Sequence, residues 1–216
     1  MTDVNKLWSI IKSVLIIIGL FLLYNIPSFF LALEQPVLLW GSGIVIIGLL
    51  IWVAIKSGYF NSRAKLLTSY NLKWVLGAFV AGRFVAVIFT LLMGEASKND
   101  IAIQEMTKNL PIGSLFMLLC LLAPIGEEII FRGAILNSIS PLKDNPTQVR
   151  QLMGLLVSSL LFSSVHLSSN VMGFLMYASL GALMGLVYLK TKRLECAIAV
   201  HFLNNFLPFL FLALNN

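Results

Sequence analysis

Apolar positions run through this chain in long blocks, with short polar interruptions between them. Seven blocks stand out, at residues 7–33, 37–55, 72–94, 110–140, 149–167, 171–189 and 194–214. A helix needs roughly 20 apolar residues to cross a bilayer, and most of these blocks approach or exceed that length. The pattern predicts an all-α, polytopic bundle of about seven transmembrane helices. The fourth block is longer than one crossing requires, and Pro124 and Gly126 are expected to kink it where neighbouring helices cover the break. No internal repeat or low-complexity segment is evident. The economical division is a single membrane domain, with 1–109 supplying N-terminal spans and loops and 110–216 forming its chemically equipped core.

Composition agrees. Hydrophobic residues fill 59% of 216 positions and charged residues 11%, against about 25% charged in a soluble domain. Mean hydropathy is +0.93. The N-terminal block is too long for a signal-peptide core and lacks a small-residue cleavage site, so it reads as the first span. Cys120 and Cys196 lie in apolar stretches and form neither a disulfide framework nor a metal-type spacing.

The net charge of +6 does not describe a nucleic-acid partner, because the basic residues sit in small clusters between spans. With the N-terminus cytoplasmic, the cytoplasmic segments hold Lys6, Lys12, Lys56, Arg63, Lys65, Lys73, Lys143, Arg150, Lys190, Lys192 and Arg193, eleven of fifteen basic residues. The opposite side keeps Lys98 and Lys108. This bias predicts an integral membrane protein with its N-terminus in. Trp8, Trp40, Trp52 and Trp74 fall near span ends, as interface anchors do.

The informative stretch is "LLAPIGEEIIFRG", where Glu127, Glu128 and Arg132 interrupt an apolar run. Each charge at a helix centre costs roughly 2.5–3.5 kcal/mol on the insertion scale. Glu128 and Arg132, four apart, can pair on one helix face. Glu127 points about 100° away and lacks that partner. A desolvated carboxylate without a cation suits general acid or base work. The two histidines of the chain, His166 and His201, both fall in later spans, and Asn205 shares the helix face of His201. Phe162, four before His166, packs beside it. Glu127 and His166 could activate a water while His201 and Asn205 bind an oxyanion. A zinc ion on Glu127, His166 and His201 is the other chemistry these side chains allow, so a divalent metal or none is left open. Ser163, Ser164, Ser168 and Ser169 lie near His166, but a serine nucleophile would leave the glutamates unexplained.

Three segments then carry a resemblance. "EEIIFR" fits E-E-x-x-x-R at Glu127, Glu128 and Arg132; "FSSVH" fits F-x-x-x-H at Phe162 and His166; "HFLNN" fits H-x-x-x-N at His201 and Asn205. In that order the chain resembles the CPBP (Abi) intramembrane proteases, CAAX prenyl endopeptidases of the Ras-converting type with bacterial bacteriocin-processing and self-immunity relatives. The resemblance spans roughly 110–210. It implies an endopeptidase that cleaves a membrane-associated peptide or protein, with Glu127 and His166 activating water, His201 and Asn205 holding the oxyanion, and Glu128 and Arg132 ordering the site. "LKTKRLECAIAVH" departs from the T-G-S-L-W seen between the last two spans of many bacterial members. Two other classes compete: a non-catalytic binding or immunity scaffold of the same fold, and a transporter using the polar groups as a proton path. Intact motif positions argue against the first, and the lack of repeat halves against the second. The topology leads one to expect a cleft reached from the cytoplasmic face, with only hydrophobic spans contributed by the first hundred residues. Arg83, in "AGRFVAV", is a buried charge with no partner legible in the sequence.

Overall fold

The computed structural model describes residues 3–33, 35–60, 65–107, 110–168 and 170–215, and every regular element among them is helical. Arg63, Lys108 and Ser169, used in the sequence reading, lie outside the described residues. The helices are α1 (Asp3–Ala32), α2 (Pro36–Lys56), α3 (Ser69–Met93), a short α4 (Lys98–Thr107), a composite α5 (Ile112–Asp144), α6 (Gln148–Ser164), α7 (Val171–Thr191) and α8 (Leu194–Asn215).

Six of them are long and apolar enough to cross a membrane. The fifth expected block is α6, which has 17 residues. At ~1.5 Å per residue it reaches about 25 Å, short of a hydrocarbon core of about 30 Å. Its early end has a local cause. Continuing the helix would give the Phe162 carbonyl to the His166 backbone N–H, but the His166 ring Nδ1 takes that carbonyl at 2.7 Å and the backbone N–H turns to Ser163 at 3.1 Å. A side chain that competes for a helix carbonyl ends the helix. Hence His166 lies beyond α6 rather than inside a span ending at 167.

Large apolar side chains stay exposed along α1 to α3, among them Leu15, Ile44, Val45, Phe84 and Leu91, each more than half exposed. Only a lipid surround leaves such side chains in an apolar medium, and the protein is an integral membrane protein. The centre of the bundle is α5, buried at every position from Ile129 to Leu136. Helices α1, α2, α6, α7 and α8 pack around it.

Along α5 the hydrogen-bond register changes twice, with π-helical turns at Phe116–Leu122 and Ile129–Leu136. Pro124 explains the first. It has no N–H, and the Ala123 N–H bonds back to Leu118. The Leu119 carbonyl is thus left without a helical donor. That orphan is met from outside the helix, at the site.

Short links make consecutive helices antiparallel. The C-terminal ends of α1, α3 and α8 therefore gather with α4 at one end of the bundle. Lys56, Lys65, Lys73, Lys143, Arg150, Lys190, Lys192 and Arg193 lie at the other.

Candidate active site

The short α-helical stretch Ala123–Glu128 turns Glu127 and Glu128 to different neighbours. Glu128 Oε1 accepts from Arg132 Nη1 at 2.8 Å and from His201 Nδ1 at 2.9 Å. Both Glu128 and Arg132 are fully buried. Arg132 Nη2 also donates to the Gly181 carbonyl of α7 at 2.5 Å, and its guanidinium lies 4.8 Å from the centre of the Phe162 ring. Gly181 makes this approach possible, because a Cβ there would stand 3.3 Å from Ser159 Cα and 3.4 Å from Arg132 Nη2. The pair expected from the four-residue spacing is formed, and it ties α5 to α7 and α8.

Glu127 faces a second set. Its Oε1 accepts from the Tyr24 hydroxyl of α1 at 2.9 Å. Its Oε2 is buried without a hydrogen-bond partner among the described residues, 3.8 Å from His166 Nε2 and 3.9 Å from His201 Nε2. Both gaps are too long for a direct hydrogen bond, and separations of this size are where a bridging water belongs. The histidine rings are oriented from behind. His166 Nδ1–H donates to Phe162, and the ring stacks on Tyr177 with centroids 4.4 Å apart. Donation from Nδ1 leaves the lone pair of a neutral ring on Nε2, toward Glu127. In the same way the Glu128 carboxylate takes the Nδ1 proton of His201. This fixes the ring of His201 and turns its Nε2 toward Glu127.

Asn205 sits one turn beyond His201, and its Nδ2 donates to the Leu119 carbonyl at 2.9 Å. This is the carbonyl that Pro124 leaves orphaned. One amide hydrogen of Asn205 is therefore committed to closing the α5 register break, and the second is the one available to a ligand.

The seven residues picked from the sequence thus converge. Three more join them that motif reasoning missed. Tyr24 comes from the first hundred residues, which do more than add hydrophobic spans; the polar interruption "YNIPS" in its apolar block was the available signal. Arg83 Nε donates to Asn204 Oδ1 at 2.9 Å, so the unassigned charge has a partner. Asn204 was hidden by its neighbour in the motif.

A cavity of about 630 Å³ adjoins this set, lined by Tyr24, Glu127, His166, His201, Asn205 and Arg83 among others. It continues past Ser28, Thr90, Asn99 and Gln104, towards the end of the bundle formed by α4 and the C-terminal halves of α1 and α3. That end is opposite the basic clusters. The cleft expected at the basic-rich end is therefore found toward the other end of the bundle. The two-residue link between α7 and α8 closes the basic-rich end, with Thr191, Arg193 and Leu194 buried.

For a metal the donor set is too open as it stands. Zinc bonds of about 2.0–2.1 Å in a tetrahedron put ligand atoms about 3.3–3.4 Å apart, less than the 3.8 Å and 3.9 Å found from Glu127 to the two histidines. No group of three or more His, Cys, Asp or Glu side chains among the described residues meets metal-holding geometry. Cys120 and Cys196 are free and buried.

Comparison with known proteins meets this geometry. Residues 109–207 match the family described as type II CAAX prenyl endopeptidase Rce1-like. UPF0177 protein YbdI of Lactococcus lactis subsp. lactis (strain IL1403) is 25% identical over 170 residues, covering 73% of this chain and 86% of that protein. Membrane-embedded CAAX protease MroQ of Staphylococcus aureus (strain USA300) is 29% identical, over 68% of this chain and 60% of its own length. Putative membrane peptidase YdiL of Bacillus subtilis (strain 168) is 27% identical, over 58% of this chain and 47% of its own. The chain thus spans less than two thirds of MroQ and of YdiL. No solved structure gives a significant match.

Proposed function

From the premise that residues 109–207 belong to the Rce1-like CAAX prenyl endopeptidase family, we propose that this protein is an intramembrane endopeptidase. It cleaves a membrane-associated peptide or protein with a water held between Glu127 and the two histidines. The observation that carries the reading is Glu127 Oε2, buried, without a partner, and facing two imidazole nitrogens beside a cavity. A buried acceptor left unpaired costs about 1–3 kcal/mol or more, and such an atom calls for a ligand or a chemical role.

The reaction follows from the donors and acceptors. Glu127, with the Nε2 lone pair of His166, takes a proton from water as its oxygen attacks the scissile carbonyl carbon. The tetrahedral oxyanion is met by His201 and the free amide hydrogen of Asn205. Collapse breaks the C–N bond, and Glu127 returns the proton to the leaving amine. Glu128 and Arg132 hold His201 in place. Phe162 carries His166 through its carbonyl and ring contact. Residues 110–216 act as the protease core, and 1–109 supply Tyr24 and one wall of the cavity. The basic clusters face the cytoplasm, N-terminus in, across a bacterial plasma membrane. The cellular setting is bacteriocin self-immunity or maturation of a small peptide.

The test is cleavage, in reconstituted membranes, of a pool of small membrane peptides from the host by wild type and Glu127→Ala, with and without a chelator. Products released by wild type alone support the assignment, and the chelator arm separates water-only from metal-assisted chemistry. If both proteins are silent and Glu127→Ala keeps the biological phenotype, a non-catalytic scaffold replaces it.

A further inference from the structure

Arg83 stands fifteenth of the 25 residues of α3, deep within an apolar span. An ionised group at that depth persists where it faces a cavity or a partner. Arg83 does both. Gly82 brings α3 against α7 and α8, since a Cβ there would stand 3.4 Å from Leu180 Cδ2 and 3.0 Å from Asn204 Oδ1. Asn204 is itself fixed, its Nδ2 donating to the Val200 carbonyl at 2.9 Å, which turns its Oδ1 to Arg83 Nε. No other hydrogen bond of this guanidinium occurs among the described residues. Arg83 itself lines the cavity that holds Glu127, His166 and His201. The acidic group acting on it is Asp100 of α4, which lines the same cavity without forming an ion pair within 4 Å among the described residues.

We propose that Arg83, oriented by Asn204, is the subsite for a carboxylate on the peptide substrate. The proposal rests on the protease reading above and adds its specificity. A planar guanidinium held through Nε alone among the described residues matches a carboxylate bidentately through its terminal nitrogens, and in a low-dielectric cavity that pairing is worth more than in water. Position sets the reach. Asn204 is three residues after His201, a rise of about 4.5 Å along α8. An extended peptide covers about 3.3–3.6 Å per residue. The carboxylate therefore lies about one to two residues from the cleaved bond. It comes either from the end of the peptide or from an acidic side chain near that bond. Arg83 is a binding residue here, and the bond chemistry stays with Glu127 and the histidines.

The experiment uses a dansyl-labelled hexapeptide of alanine, valine and leucine in three forms: free acid, amide, and amide with one glutamate near its C-terminus. Binding to the full chain in nanodiscs is measured by fluorescence for wild type, Arg83→Gln and Arg83→Lys. Free acid binding about tenfold tighter than plain amide to wild type, with equal binding to Arg83→Gln and a partial preference in Arg83→Lys, is the expected result. The glutamate amide shows which source of carboxylate is used. Equal binding of all three forms to wild type, no binding at millimolar peptide, or a preference that survives Arg83→Gln overturns the subsite. The wild-type comparison needs no variant to fold. A preference for acid without any cleavage keeps the subsite and removes the protease reading; cleavage without preference does the reverse.

Discussion

The hydroxyl of Tyr24 donates to Glu127 Oε1 at 2.9 Å across 103 residues of sequence, joining α1 to the site. This bond uses one carboxylate oxygen and leaves the other aimed at the histidines, so it decides which oxygen meets water. A hydrogen bond to a charged group is worth about 1.5–3 kcal/mol. Tyr24→Phe frees the carboxylate to turn, and this misplacement of the reacting oxygen is expected to lower kcat about 10- to 100-fold and to leave KM within about twofold. Steady-state cleavage with unchanged thermal unfolding checks this. A fall in KM-dependent rate alone would place Tyr24 in substrate binding instead.

Gly126 bears on the same contact. A Cβ there would stand 2.8 Å from Tyr24 Cε2 and closer still to Cδ2. The rigid ring has to move away, and the hydroxyl with it. Gly126→Ala is therefore expected to lose at least as much kcat as Tyr24→Phe. Gly43 gives the contrast. A Cβ there meets the thioether end of Met117, with Sδ at 2.6 Å, and this flexible chain can re-pack. Gly43→Ala should cost stability by no more than about 1–3 kcal/mol and leave cleavage intact.

How far the sequence carried can be read from these residues. Glu127, Glu128, Arg132, His166, His201 and Asn205 were legible because ionisable and amide groups are rare in apolar blocks and helical spacing limits their pairing. Tyr24 and Asn204 were not, since a tyrosine or asparagine in a membrane helix is common and its partner lies on a distant helix. The side of the cavity was missed for another reason. Charge bias orients the spans, but which end stays open depends on how tightly α7 and α8 join, and that is a matter of packing. The end of α6 was misplaced by three residues because a side-chain bond from His166 to Phe162 competes with the helix.

The two adjacent glutamates should separate in their effects. Glu128 is fully buried against Arg132, and removing one member of a buried pair costs about 3–5 kcal/mol. Glu128→Ala is expected to lower Tm by on the order of 10 °C as well as to end cleavage. Glu127→Ala removes the acceptor of the Tyr24 hydrogen bond, worth about 1.5–3 kcal/mol, together with the unpaired Oε2, and should end cleavage with a smaller fall in Tm than Glu128→Ala. Thermal unfolding of both variants in one detergent decides it. Equal destabilisation would make Glu127 a structural group and count against its role with water.

Asn205 offers the sharpest test of why the site has its shape. Its Nδ2 donates to the Leu119 carbonyl, which lacks a helical donor because residue 124 is proline. Asn205→Ala leaves that carbonyl unpaired, a cost of about 1–3 kcal/mol. In a Pro124→Ala background residue 124 regains an N–H, and α5 can close its own hydrogen bonds. The same Asn205→Ala change should then cost at least about 1 kcal/mol less, a coupling that a double-mutant cycle resolves. Activity need not follow stability. If Asn205 also gives its second amide hydrogen to the oxyanion, cleavage stays depressed in the double variant after stability has recovered. If it acts only through Leu119, both recover together. Additive stability effects would disconnect Asn205 from the register break.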